Sequence, residues 1–271
     1  MPAMSTPPAD HPAALARRVR LSGGEIEYAL RPMARARGLR VTMDARKGII
    51  VTVPLPSRRG WAKPEATVEA FLRDREAWLR RHLARQARTR AELAGRGGLV
   101  DGGMVRYRGE LHRLSIRGAA AGQRRSSVAR SGEDDADALV VEVATRDRRS
   151  LERVLGDWFR QRAEEVLRRE ITRHARALGV TPTAIALRDP RSRWGSASKE
   201  GRLMFSWRLV LAPPEALETV VVHELAHLRV FGHGPRFWAV VAERVPDHVR
   251  WRRWLREHSQ ELHAALDDSG A

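Results

Sequence analysis

Apolar positions along this chain follow two rhythms: an alternation that marks strands and a spacing near 3.6 that marks helices. Residues 25–30 (EIEYAL) alternate and predict a strand. Residues 35–44 predict a second strand, and residues 48–53 (GIIVTV) a third, stopped by Pro54 and Pro56. Arg46-Lys47-Gly48 supplies the turn between them. Val68, Phe71, Leu72, Trp78, Leu79 and Leu83 then recur at helical spacing and predict one helix over 64–90, with its arginines on a solvated face. Residues 104–107, 111–116 and 139–143 read as further strands. The small, polar stretch 118–138 between them reads as a flexible hairpin loop. A long amphipathic helix is predicted over 151–178, with Ser150 as its cap and Gly179 as its stop. Residues 184–188 and 202–211 read as strands. Pro213-Pro214 then starts a helix, and two more begin near Pro235 and Asp247.

The helix after Pro214 contains the pattern that draws in the rest: TVVVHELAHLRVFGHGPRFW, residues 219–238. His223 and His227 are four apart and share a helical face, so two imidazoles can grip one zinc ion. Glu224 lies between them and can serve as a general base on the open side of the metal. Phe231-Gly232 offers a turn, because glycine takes the left-handed conformation that closes a helix. His233 then returns as a third nitrogen and leaves one tetrahedral position open. Glu243 and Asp247 are alternative third ligands further along. A buried helix whose histidines make structural hydrogen bonds is the plainer explanation of the same letters.

The 271 residues suffice for one large domain or two small ones. The fold class expected is α+β: a zincin-like core over 146–260 carrying the HExxH helix, and an N-terminal β-rich region with one long helix over 22–145. Residues 1–21 read as a disordered leader and 261–271 as a tail. The leader has Pro and charges where a signal peptide needs an apolar core. No run is apolar enough for a membrane span, and a cytoplasmic location is the default. With no cysteine, metal binding has to use His and carboxylates. There are 50 Lys plus Arg against 33 Asp plus Glu, a net charge of +17. Such a surface attracts phosphate backbones or acidic proteins, although plain arginine bias gives the same number. No oligomeric state is set by these features.

The stretch 193–238 resembles the YgjP-like metallopeptidase family, itself similar to SprT and Spartan-type zinc proteases. The resemblance rests on Arg193-Trp194-Gly195-Ser196, Gly201, Leu203, Trp207-Arg208-Leu209-Val210, Ala212-Pro213, Val221 through Leu228, and His233 with Phe237-Trp238. In layout it extends over most of 25–258. Ala197 stands where the family often has Cys, and Gly232-His233-Gly234 stands where it often has Asn-His-Ser. The resemblance implies His223, His227 and His233 as zinc ligands and Glu224 as the base. It implies a peptidase acting on protein or peptide substrates, among which the basic charge admits nucleic-acid-associated proteins. The alternative is a nucleic-acid-binding protein with a structural zinc; a small-amide hydrolase would use the same site. Residues 202–211 are the expected edge strand for aligning substrate. Arg193, Trp194 and Ser196 read as a substrate-binding or site-supporting loop or as a packed Trp with a capping Ser, and Trp238 as core ahead of substrate contact. His248 reads as a surface residue or an oxyanion stabiliser. The arginines of 250–256 with Trp251 and Trp254 read as a basic aromatic surface or an amphipathic helix with buried tryptophans.

Overall fold

The computed structural model describes residues 15–44, 48–55, 64–131, 138–190 and 192–266. The chain divides into two compact units, Met1–Arg88 and Thr89–Ala271.

In the first unit β1 (Leu15–Leu21) and β2 (Gly24–Pro32) form an antiparallel hairpin, with Val19 opposite Ile26. β3 (Arg40–Asp44) and β4 (Gly48–Val53) complete a sheet in the order β1-β2-β4-β3. β1 lies inside the stretch expected to be leader. Its alternation is real, with Val19 and Leu21 buried and Arg18 and Arg20 exposed, but arginines on the outer face disguise it as a charge run. The rest of the expected leader, 1–14, lies outside the described residues. The predicted helix over 64–90 is two helices, α1 (Pro64–Asp74) and α2 (Glu76–Ala94). At the break Glu76 turns its carboxylate onto the β1–β2 turn, accepting from the amides of Ser22 at 3.1 Å and Gly23 at 2.9 Å. Val68, Leu72 and Leu79 bury themselves against the inner side chains of the sheet, among them Tyr28 and Val51.

The second unit holds a four-stranded sheet, order β5-β6-β8-β7, and a three-stranded one, order β10-β11-β9. The first comprises β5 (Met104–Tyr107), β6 (Glu110–Gly118), β7 (Ser127–Arg130) and β8 (Ala138–Val143). β7 falls within the stretch expected to be a loop. It is pinned by side chains: Asp147 accepts from the Ser126 amide at 2.7 Å, and Ser127 donates to Glu142 at 3.2 Å. The second compact unit starts at Thr89. Val105, Leu114, Leu139 and Val141 share one core with the long helix α3 (Leu151–Leu178), so the strands before 145 pack with the helix after it. Ser150 accepts from the Arg153 amide, and Gly179 takes φ 66° to close α3, both as the sequence predicts.

β9 (Ala184–Arg188), β10 (Gly195–Ala197) and β11 (Arg202–Ser206) form the small sheet. The strand expected over 202–211 stops at Ser206 and becomes a 3-10 helix, Trp207–Leu211, capped by the Ser206 side chain. Alternation fails there because Leu209, Val210 and Leu211 are all buried in succession. β11 is also the central strand, so it is not the edge that was expected to meet substrate. The two edges of this sheet are β9 and β10, each with no strand on its other side among the described residues.

The β5–β6 turn braces the start of the next helix. Arg108 and Gly109 donate their amides to Val210 and Leu211 carbonyls at 2.9 Å each, and Gly109, at φ 88°, lies against Pro213. Then come α4 (Pro214–Ala226), α5 (Pro235–Arg244) and α6 (His248–Ala264). α6 runs on into the expected tail. Glu261 there is 5% exposed and accepts from Arg96 at 2.8 Å and Arg106 at 2.6 Å. Residues 267–271 lie outside the described residues. The whole is a mixed α+β fold, and no described helix is long and apolar enough to cross a membrane.

Candidate active site

α4 is apolar on nearly every side: Ala216, Leu217, Val220, Val221, Val222, Leu225 and Ala226 are all buried. A helix enclosed in this way carries polar residues only where something needs them. In its first half Thr219 bonds back to Glu215 O and Glu218 pairs with Arg173, and in its last turn the polar residues are His223 and Glu224, with His227 at the cap. Beyond it the chain tightens, Val230 donating to Ala226 O at 2.9 Å, and Gly232 takes φ 82° as its position predicts. Gly234 then caps α5, so His233 is held in the connection between the two helices.

The three imidazoles converge. One nitrogen from each of His223, His227 and His233 lies within 4.8 Å of the others. His223 Nε2 and His233 Nε2 are 3.2 Å apart. Ring centroids are separated by 4.9, 5.1 and 4.8 Å. Phe237, fully buried, touches all three rings at 4.5–4.9 Å and forms an apolar floor beneath them. Burial, then the neighbouring His227 and His233, pushes His223 down to about 3. Burial and His233 lower His227 as well. These rings are therefore neutral near pH 7, with lone pairs free for a cation. The fourth group is Glu224, 6% exposed, pushed up to about 7 by burial against the pull of Arg193.

Glu243 and Asp247, the alternative ligands, do not join this group and are exposed. His248 is buried rather than superficial, stacked on Trp238 at 5.3 Å and 8°. Trp238 is half-buried beside His233 and His223, at 5.7 and 5.6 Å. Trp194 is a packed residue, stacked on His263 at 4.8 Å, and Trp251 and Trp254 pack on the core.

Gly195 is the neighbour that sequence reasoning left without a role. A Cβ there would come 2.6 Å from Glu224 Oε1 and 2.7 Å from its Cγ. β10 therefore lies directly on the Glu224 side chain, an approach only glycine permits. The signal was present, since Gly195 sits in the motif shared with the family, but its partner lies 29 residues away.

Comparison with known proteins first gives the class, a metallopeptidase. The YgjP-like metallopeptidase domain matches residues 37–258, and the chain belongs to that family. Among solved structures, the crystal structure of the metallopeptidase zymogen of Pyrococcus abyssi abylysin is similar at 20% identity, covering 34% of this chain and 93% of that chain, with a TM-score of 0.29. No curated protein matches. Membership implies a metal, and the donor set suits one: three imidazole nitrogens converge and no cysteine competes.

Proposed function

We propose that this protein is a zinc-dependent peptidase of the HExxH type, with His223, His227 and His233 as ligands and Glu224 as general base. The observation that carries this reading is the convergence of three imidazole nitrogens within 4.8 Å, next in sequence to a buried carboxylate. When bound, such an ion supplies Lewis acidity, polarising an amide carbonyl and easing the deprotonation of a nearby water. Glu224 takes the water proton on a carboxylate oxygen and later delivers it to the leaving amine. Its burial keeps bulk water from competing for that proton. A purely structural zinc leaves this buried acid without a task, which disfavours the nucleic-acid-binding alternative. Protein or peptide is the substrate class, and the net charge of +17 keeps nucleic-acid-associated proteins within it.

β10 is the strand that aligns the substrate in this reading. Its ladder to β11 pairs Ser196 with Met204, flanked by bonds from Ser206 N to Trp194 O and from Ser198 N to Arg202 O. By antiparallel alternation the amides and carbonyls of Gly195 and Ala197 face the open edge. An extended peptide added there runs past Glu224. Ala197→Pro deletes one edge donor and spares the β11 ladder. It should weaken cleavage of extended peptides while metal content stays unchanged, and undiminished cleavage would count against the assignment.

The central test pairs metal analysis with a digest of unstructured peptides, using wild type and Glu224→Gln. Both proteins should hold about one zinc per chain. The variant should lose about 10²–10⁴-fold in rate. Hydrolysis that survives the substitution removes Glu224 from the chemistry, and a chain that holds no metal removes the mechanism.

A further inference from the structure

α6 opens with His248 and carries Arg252 and Arg256 at successive four-residue steps, so all three share one helical face. The first two lie against Trp238. The His248 ring is stacked on it, and the Arg252 guanidinium is 4.0 Å from its centroid. Trp238 in turn adjoins His233 and His223. The line thus starts at His248, whose pKa burial and then Arg252 lower, and carries two guanidiniums away from the histidine cluster.

The cations on this line lack counter-charges among the described residues. Three half-buried arginines elsewhere in the unit have them, Arg208 with Asp189 at 2.7 Å, Arg149 with Asp147 at 2.7 Å and Arg96 with Glu261 at 2.8 Å, while Arg108 and Arg244 have no ion pair among the described residues. Arg252 is half-buried too, yet no carboxylate lies within ion-pair distance of it among the described residues. The acids further along α6 are occupied, Glu257 by Arg253 and Glu261 by Arg96 and Arg106. Arg256, one turn on, adds a like charge and has no described ion pair either. Burial and then Arg256 lower the proton affinity of Arg252, as expected for a cation short of solvent and of anions. A guanidinium stripped of part of its hydration, with a like charge one turn away, is unfavourable in the free protein. The Trp238 face offsets part of that cost and fixes the plane of the fork. An arriving carboxylate would offset the rest, because the fork binds two oxygens at once.

We infer that Arg252, held on Trp238, receives a substrate carboxylate: an Asp or Glu side chain near the scissile bond. The peptidase is therefore selective for acidic segments, and Arg256 extends the preference outward. This deepens the peptidase reading and rests on it.

Two experiments separate the inference from that reading. The first digests a peptide library with zinc-loaded wild type, Arg252→Gln, Arg252→Glu and Arg252→Lys. Wild type should enrich Asp and Glu at one fixed position near the cut by about tenfold, the scale of one charge-assisted pair. Arg252→Gln should bring the acidic-to-neutral ratio near one, Arg252→Glu should turn it toward Lys and Arg, and Arg252→Lys should keep part of it. No acidic enrichment in wild type, or enrichment that survives Arg252→Gln, overturns the inference.

The second experiment needs no turnover. Labelled peptides identical except for Glu or Gln are titrated by anisotropy against Glu224→Gln protein, with and without Arg252→Gln. Tighter binding of the Glu peptide that vanishes with Arg252 upholds the carboxylate receptor, even if wild type were to cleave nothing. Equal binding of the two peptides overturns it while leaving the hydrolase reading to its own test. If a DNA duplex binds and loses affinity on Arg252→Gln and Arg256→Gln while the peptides bind equally, the stripe is a nucleic-acid face and the inference is likewise overturned.

Discussion

Replacing Gly195 by alanine is the sharpest test of how β10 and α4 cooperate. The added Cβ would lie 2.6 Å from Glu224 Oε1, 2.7 Å from Cγ and 2.9 Å from Cδ. The closest of these is about 0.8 Å inside ordinary contact, which starts at 3.4 Å. Rotating the carboxylate alone does not relieve it, because Cγ is crowded as well. Either the Glu224 side chain or β10 has to move by close to an ångström. Gly195 is not among the residues with positive φ, so backbone strain contributes nothing and the effect is contact alone. A misplacement of about 1 Å at a reacting group costs on the order of 10²-fold in kcat/KM. Overpacking of this kind costs about 1–3 kcal/mol of stability. The imidazoles are untouched, so zinc content should not change. Peptide hydrolysis, thermal unfolding and metal analysis of the variant measure the three quantities. Gly118→Ala is the control, since a Cβ there meets nothing within 4 Å. A Gly195→Ala protein as active as wild type would refute the seating of β10 on Glu224.

Glu261→Ala should destabilise the second unit by about 3–5 kcal/mol, because it strands two partly buried guanidiniums, Arg96 and Arg106; a denaturant midpoint close to wild type would show that the triad is no clamp. Its carboxyl is held below the usual range because the two arginines outweigh burial, which pulls the other way. Glu76 is held down to about 2, first by the Gly23 amide and then by Arg80. A depressed carboxyl stabilises fully above its ordinary value of 4.5 and loses that contribution as pH falls from there toward 2. The stability difference between wild type and Glu76→Gln should therefore shrink over that window, read by hydrogen exchange at Ser22 and Gly23; a difference independent of pH would break the link.

What was legible in the sequence was local. The HELAH spacing, the left-handed Gly232 and the caps of α3 each depend on residues within a few positions of one another, and the structure carries all three. β1 is hidden because its outward residues are arginines, so alternation looks like a basic leader. β10 has three half-buried residues, too few for any rhythm. The 3-10 helix after Ser206 reads as strand because an unbroken apolar run suits either. The contact of Gly195 with Glu224 joins elements that only tertiary packing brings together, and periodicity carries no trace of it. Which sheet shares a core with which helix is likewise settled by assembly.

His223 and Glu224 stand on a helix enclosed by core, while His233 stands on an exposed connection whose neighbour Phe231 is 66% open to solvent. Stability is thus unequal across the cluster, and the last imidazole costs least to withdraw. On the proposed ligand set, loss of the metal should accordingly be sequential, with the connection peeling back first and the helix-borne residues keeping their places. Reloading then needs only that one segment to settle, so an ion can exchange without the core having to unfold.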